Sequence, residues 1–327
     1  MSDVLVITNN LQQASFRLRM EAIRQPLAQR GIHLRIAVRP THFFSRRRLL
    51  RSASRYDAVI LQRKLLDPWD VALLAKHARR FFFDVDDAVM YHPKPAGAIQ
   101  RWRTRRRFVA LARQVDRVVA GNEYLAQIFR DQGAPAAVLP TVVDPAHYRV
   151  KTHQPTQSPA LVWIGSKSTL PYLAHLMPVL AQAPARVPGL RLIVIADQTI
   201  SPAGLPLEHV PWSPASEAEA LCRGDIGIAP MPRDPWTLGK CGFKIVQYMA
   251  AGLPVIASPV GAAAELVSPG QTGFLPATAD QWIDAMATLA ADVAQRSSMG
   301  AAGRKQVEEH YCLDRAVQFW AQMLSGS

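Results

Sequence analysis

With 327 residues, 49% hydrophobic and 19% charged, the chain is too apolar for a disordered polyelectrolyte and too long for one ordinary core, so two globular domains are expected. It has no apolar run of the roughly 18 residues a spanning helix needs, and its start, MSDVLVITNN, lacks the basic lead and long apolar core of a signal peptide. The net charge of +13 is one-sided: residues 1–150 hold 26 Lys and Arg against 12 Asp and Glu, net +14, while residues 151–327 hold 12 against 13, net −1.

In chain order, residues 4–8 read as a buried strand and 15–30 as a helix stopped by Gly31. Strands follow at 33–38 and 57–62, the latter after a basic segment holding Arg46, Arg47 and Arg48. Residues 70–80 read as a helix, 81–85 as a strand, 98–114 as a strongly basic helix, 115–120 as a strand and 124–131 as a helix. This alternation predicts a parallel sheet with helices on both faces. The turn after the first strand is Asn9-Asn10-Leu11-Gln12, without the G-x-G-x-x-G that a dinucleotide-binding enzyme needs.

Residues 147–159, polar and containing Thr, Gln and Pro, read as a linker. A second α/β series then opens, with strands at 161–165, 191–196, 208–212 and 226–231, helices at 170–182 and 217–223, and helices again over 279–324. The cysteines Cys222, Cys241 and Cys312 are odd in number and show neither disulfide nor metal-ligand spacing, so a reducing, cytoplasmic setting is expected. The histidines show no metal spacing either.

The densest information lies in residues 238–261, LGKCGFKIVQYMAAGLPVIASPVG. A loop with Gly239 and Gly242 runs into a helix beginning near Phe243. Gly252 and Pro254 stop that helix, and an apolar strand follows. A helix N-terminus presents unpaired N–H groups and a partial positive charge, and so favours an anion. Gly242 permits close approach to the backbone. Lys244 sits in the first turn, where a cation opposes the helix dipole unless an anion lies between. Lys244 and Gln247 are three apart and share a face, offering a charge for a diphosphate and an amide for a sugar hydroxyl. Taken alone, the same pattern also suits a buried α/β element whose lysine reaches out to solvent.

This stretch resembles the nucleotide-sugar signature of GT-B glycosyltransferases, especially glycosyltransferase family 4 and its relatives. Lys244, Tyr248, Met249, Ala250, Gly252, Pro254 and Val255 match it. Two positions depart: the family carries glutamates eight residues apart where this chain has Gly239 and Gln247. Further matches are Pro140-Thr141-Val142-Val143-Asp144, Trp163-Ile164-Gly165-Ser166, and Trp212 followed by residues 225–230. The resemblance implies an α/β chain of two Rossmann-like domains with parallel sheets facing across a cleft. It places an acceptor-binding domain at 1–150, a nucleotide-sugar domain at 151–310 and a last helix, 311–327, crossing back to the first. It implies that Gly165 and Ser166 approach the diphosphate and that Lys244 stabilises it as it leaves. Gln247 would hold the ribose, with Val210 and Trp212 bordering the base. Asp234 and Lys240 would surround the sugar, beside Gly242 and Phe243. The reaction implied is transfer from a nucleotide-diphosphate sugar to a glycan or lipid-linked acceptor, with retention. No cofactor and no obligatory metal are implied. A sugar-nucleotide epimerase of the same fold is the alternative enzyme.

Three constellations lie outside the signature. Asp84, Asp86 and Asp87 cluster at a strand end, where open α/β sheets bind ligands. Three like charges together cost free energy unless used, so Asp86 or Asp87 is expected to act as acceptor base or sugar ligand, in preference to a metal site. Ion pairs to Arg79 and Arg80 are the structural alternative. Arg17 and Asn122 each sit at a strand–helix junction and are candidates for the acceptor side, Asn122 equally for a helix cap. Arg101, Arg103, Arg105, Arg106 and Arg107 surround Trp102 on one helix, a pattern that suits an anionic membrane surface and would hold the protein peripherally at the inner face of the cell membrane. A non-enzymatic nucleic-acid binder would rest on the basic half alone. No nucleic-acid motif accompanies it, and no nucleic-acid partner is expected.

Overall fold

The computed structural model describes residues 2–92, 94–201 and 204–325. The chain divides into two compact units. The first comprises residues 1–142, 234–241 and 313–327; the second comprises 143–233 and 242–312.

In the first unit, β1 (Ser2–Thr8), β2 (Ile32–Val38), β3 (Ala58–Gln62), β4 (Phe81–Val85), β5 (Arg117–Ala120) and β6 (Ala136–Val138) form a parallel sheet in the order β2-β1-β3-β4-β5-β6. Strands β3 and β4 are buried along their whole length, as strands covered on both faces must be. Alternate residues serve opposite faces. Leu5, Ile7, Val59, Leu61, Phe81 and Phe83 join one core cluster, and Val4, Val6, Ile60 and Phe82 another. The helix Leu313–Ser325 belongs to this second cluster through Ala316, Val317, Trp320 and Leu324. Trp320 meets the Phe82 ring edge-on at 6.2 Å.

In the second unit, β7 (Ala160–Ile164), β8 (Arg191–Ala196), β9 (Leu207–Pro211), β10 (Ile226–Ala229), β11 (Val255–Ala257) and β12 (Gly273–Phe274) form a parallel sheet in the order β12-β11-β10-β7-β8-β9. Both units are therefore doubly wound. Strand order reverses between β1 and β3 in the first and between β7 and β10 in the second, and ligands of open α/β sheets bind beyond the carboxyl ends of the strands at such points.

Several expectations need correction. The units divide at 142/143, not 150/151, because Val143 donates its N–H to Tyr311 O at 3.0 Å and Tyr148 enters the second core. Residues 147–159 are no free linker: Lys151 N–H bonds Ala251 O at 2.9 Å, and His153 is buried with Nε2 2.9 Å from Gly252 O. The basic segment around Arg46 is the helix Phe43–Arg51. Residues 234–241, expected in the second domain, are built into the first unit.

Candidate functional site

In the second unit the switch point is held open by one residue. Strands β7 and β10 pair only at Leu161–Ile226 and Val162–Gly227. Beyond that the Tyr248 hydroxyl stands in for the ladder, donating to Ile228 O at 3.0 Å and accepting from Ile164 N–H at 3.0 Å. Burial pushes this phenol well above its ordinary range. Gly227 makes the room, since a Cβ there would lie 2.4 Å from the Tyr248 ring.

The helix Phe243–Ala250 starts at this switch point. Its N-cap, Gly242, is left-handed at φ 64°, and a Cβ there would lie 2.5 Å from Leu266, so glycine is required on both counts. No side chain caps the helix start. Lys244 is half-buried, with its ammonium 4.3 Å from the Trp163 ring centroid, a cation–π seat that holds the charge near the end of β7. Gly165 closes over the same ring, and a Cβ there would meet Trp163 at 2.3 Å. The backbone N–H groups after β7 are already engaged. Gly165 donates to Ile195 O, Ser166 to Thr169 Oγ1 at 3.0 Å and Lys167 to Asp197 Oδ1 at 2.7 Å. The Ser166 hydroxyl is exposed and 2.9 Å from that of Ser168.

Gln247 lies within a polar chain that the sequence did not reveal. Its Nε2 donates to the Tyr148 hydroxyl at 3.2 Å, which donates to Glu217 Oε1 at 3.5 Å, and Glu217 Oε2 accepts from Trp212 Nε1 at 2.7 Å. Gln247 is buried; Trp212 and Val210 are half-buried at the β9 edge. Burial pushes the Tyr148 phenol up, Gln247 opposes this and Glu217 adds to it. Gln247, Trp212 and, through β9, Val210 are thus tied together by two residues, Tyr148 and Glu217, that sequence reasoning missed. Phe243 packs on the apolar cluster below.

The first unit carries the carboxylates. Asp84 is fully buried and bound by Arg19, whose Nη2 lies 2.6 Å and Nε 3.0 Å from its oxygens; Arg19 Nη1 donates to Leu139 O at 2.8 Å. Burial is the largest single influence and works against the Arg19 charge, but the charge and hydrogen bonds of Asp84, with Asp86 behind it, together raise the guanidinium further. Asp87 is buried between Arg63 and Lys240, whose Nζ lies 2.7 Å from Oδ1. Arg63 holds a left-handed backbone, φ 57°, which is unusual for a non-glycine residue and marks strain beside a site.

Asp86 is the exception. Its Oδ1 is closed off from solvent without a hydrogen-bond partner, and the nearest cation, Arg63 Nε, is 3.6 Å away. Burial pushes this carboxyl up to about 6, against the pull of Arg63 and with a further push from Asp87. The partners of the cluster are thus Arg19, Arg63 and Lys240, and not Arg79 and Arg80, the structural alternative. Arg79 pairs with Asp57, and Arg80 donates to Leu324 O at 2.7 Å. Among the described residues no three His, Cys, Asp or Glu side chains converge as a metal site.

Asp234 and Lys240 serve as structural clamps. Asp234 caps a short helix, accepting from Trp236 N–H and Thr237 N–H at 2.8 Å. Lys240 pairs with Asp87 and lies over Trp236, 4.8 Å from the ring centroid. Asn122 caps the helix Glu123–Arg130 by accepting from Leu125 N–H at 2.8 Å, and its amide donates to Leu238 O and Lys240 O. At Gly239, where the resemblance calls for a glutamate, a Cβ would lie 2.5 Å from the Ala88 side chain and 2.9 Å from its backbone nitrogen. No side chain fits there unless Ala88 moves. Arg17 begins a π-turn, Arg17–Glu21, that also carries the buried Arg19.

The carboxyl of Asp86 makes stability depend on pH. The folded group keeps its proton to about pH 6, the unfolded one only to about 4. The folded state therefore binds more protons across that window, and stability falls as pH rises through it. Asp86→Asn is expected to remove this loss, so that its advantage over the parent grows from near zero at about pH 4 to roughly 1–3 kcal/mol by about pH 7. Urea melts at several pH values would read it; parallel curves for the two proteins would contradict it.

Residues 159–292 match the family described as "Glycosyl transferases group 1". Among solved structures, the chain is similar to HepE of Anabaena in complex with UDP and glucose, with a TM-score of 0.75 and 17% identity over 100% of both chains. It is also similar to sucrose-phosphate synthase from Thermosynechococcus elongatus, with a TM-score of 0.74 and 16% identity over 100% of both chains. A glycosyltransferase from Rickettsia africae gives a TM-score of 0.69 at 12% identity, covering 99% of this chain and 97% of that one. No match is found among curated proteins.

Proposed function

We propose that the chain, whose residues 159–292 match the group 1 glycosyl transferases, moves a sugar from a uridine diphosphate sugar to a glycan or lipid-linked acceptor with retention. Its fold is GT-B. The observation that carries the reading is Lys244, seated on Trp163 at the uncapped start of the helix Phe243–Ala250. Helix dipole and ammonium together stabilise a leaving diphosphate where its charge develops. The chain Gln247–Tyr148–Glu217–Trp212 offers amide, hydroxyl and carboxylate to a nucleoside. The uridine choice draws support from the UDP and glucose bound to HepE. On the acceptor side the role falls to Asp86, whose side chain stays 15% exposed and whose raised affinity for protons suits a base or sugar ligand.

No divalent ion is needed in this reading, because the helix start and Lys244 already balance the diphosphate. Incubation with UDP-sugars and mixed glycan acceptors should release UDP, with turnover surviving excess chelator. Loss of turnover restored by Mn²⁺ or Mg²⁺ would overturn the metal-free reading. Conversion of the sugar nucleotide alone, without acceptor, would indicate an epimerase.

The basic helix Ala98–Ala112 supports peripheral attachment to anionic lipid. Trp102 and Ile99 are exposed, and Arg106 stacks over Trp102 at 4.7 Å. An aromatic residue at headgroup level with arginines around it suits such a surface, each basic residue adding about 1 kcal/mol. Flotation with phosphatidylglycerol vesicles at low salt should carry the protein. The combined variant Trp102→Ser, Arg105→Gln, Arg106→Gln should stay behind. Equal flotation of both would leave this helix a merely solvated face.

A further inference from the structure

A cavity of about 750 Å³ lies wholly within the first unit, beyond the carboxyl ends of β3 and β4. Its walls come from the segment after β3, the segment after β4, the start of the helix Ala98–Ala112 and Trp236. Arg63, Lys64, Arg103 and Arg107 line it, and among the described lining residues none is Asp or Glu. Arg63 is turned to Asp86 and Asp87, and Arg107 shares its charge with Asp67. Neither Lys64 nor Arg103 forms an ion pair within 4 Å among the described residues, although Asp67 acts on Lys64 from further off. Lys64 and Arg103, without ion pairs of their own and beside the partly neutralised Arg63 and Arg107, repel their neighbours unless an anion fills the space. Lys64 registers the crowding: burial first, then Arg39 and Arg107, lower its affinity for a proton, against a smaller opposing pull from Asp67. The helix start adds to this field, because Gly97, its N-cap, lines the cavity and no side chain caps the first turn.

The remaining wall mixes the polar side chains of His92, Gln100 and Thr104 with apolar and aromatic ones. Tyr91 and Trp236 line the cavity, and Ile99, 69% exposed, stands at its lip. A cationic pocket with apolar side chains at its mouth fits an amphiphilic anion better than a simple inorganic one.

We propose that this cavity binds the phosphate or diphosphate group of the acceptor, and that the acceptor is a phosphate-linked molecule. This rests on the glycosyltransferase reading and names the acceptor class for it. Lys64 and Arg103 supply the unpaired charge, Arg107 shares its own between Asp67 and the ligand, and Tyr91 and Trp236 flank the group joined to the phosphate.

The test is calorimetry on the full chain, saturated with UDP so that the donor site is filled. Geranyl diphosphate is the probe, with inorganic pyrophosphate and geraniol beside it. Geranyl diphosphate should bind, and Lys64→Gln with Arg103→Gln should weaken it at least tenfold. Arg30→Gln with Arg113→Gln removes the same charge from exposed positions outside the cavity and should change affinity less than twofold. Tighter binding of geranyl diphosphate than of pyrophosphate identifies a lipid-linked source. Equal binding of the two identifies a free phosphate-bearing acceptor at the same site. No binding of either diphosphate at low salt, or equal loss in both double variants, would overturn the proposal while UDP binding leaves the glycosyltransferase reading standing. Failure of UDP and UDP-sugars to bind the parent protein would instead overturn that reading.

Discussion

Asp84→Ala is expected to destabilise the first unit by about 3–5 kcal/mol, the cost of leaving a buried charge without its partner. The Arg19 side chain is 2% exposed and that of Asp84 1%, so water cannot replace the lost contacts. Of its hydrogen-bond partners only Leu139 O would remain to Arg19, with Asp86 acting on it from further off. The helix that carries Arg19 would lose its tie to β4, and Asp86 and Asp87 lie just beyond that tie. Arg19→Met should cost a similar amount, because Asp84 would then be the stranded charge. Arg19→Met combined with Asp84→Leu should cost far less than the two singles together, since well-packed apolar residues often replace a buried ion pair at little loss. Urea unfolding of the four proteins completes the cycle. Single variants within about 1 kcal/mol of the parent would show that the pair is not the anchor its geometry indicates.

How much of this was legible follows from how local each signal is. The Phe81-Phe82-Phe83 run announces β4, since a strand covered on both faces is continuously apolar. Strands β6 and β12, with three and two residues, are too short for any period to register. In the helix Phe43–Arg51 only Leu50 is buried, so the arginines hide the helical pattern. Gly242, Lys244 and Gln247 form one local unit, and their spacing alone foretold a helix start with a charge and an amide on one face. Their partners were not legible, because pairing across the fold leaves no trace in a single sequence. Tyr148 meets Gln247 across 99 positions, and Lys240 meets Asp87 across 153. That second pair moved residues 234–241 into the first unit and turned Asp87, expected to be reactive, into an anchor. Asp86 and Asp87 are adjacent and chemically identical. Only the three-dimensional placement of Arg63 and Lys240 gives them different tasks.

Lys244→Ala is expected to weaken UDP binding by roughly 1.5–3 kcal/mol, or about 10- to 150-fold, the range for a charge-assisted contact. The ammonium is held over Trp163 at 4.3 Å and half-shielded from water, so it is both positioned and incompletely screened. Its removal leaves Trp163 packed among Leu161, Ile228 and Ile256, and the variant should fold. The loss should grow with phosphate count. Uridine should bind parent and variant alike, because its contacts fall to the Gln247–Tyr148–Glu217 chain. UMP should lose less than UDP. Lys244→Arg should recover part of the UDP affinity, since the charge returns although a planar guanidinium sits differently on the indole. The helix start contributes independently of the side chain, which caps the expected loss and leaves measurable binding in Lys244→Ala. Calorimetry with the three ligands separates these contributions. Equal losses for uridine and UDP would mean that Lys244 shapes the pocket as a whole, and unchanged UDP affinity in a folded variant would remove it from the phosphate site.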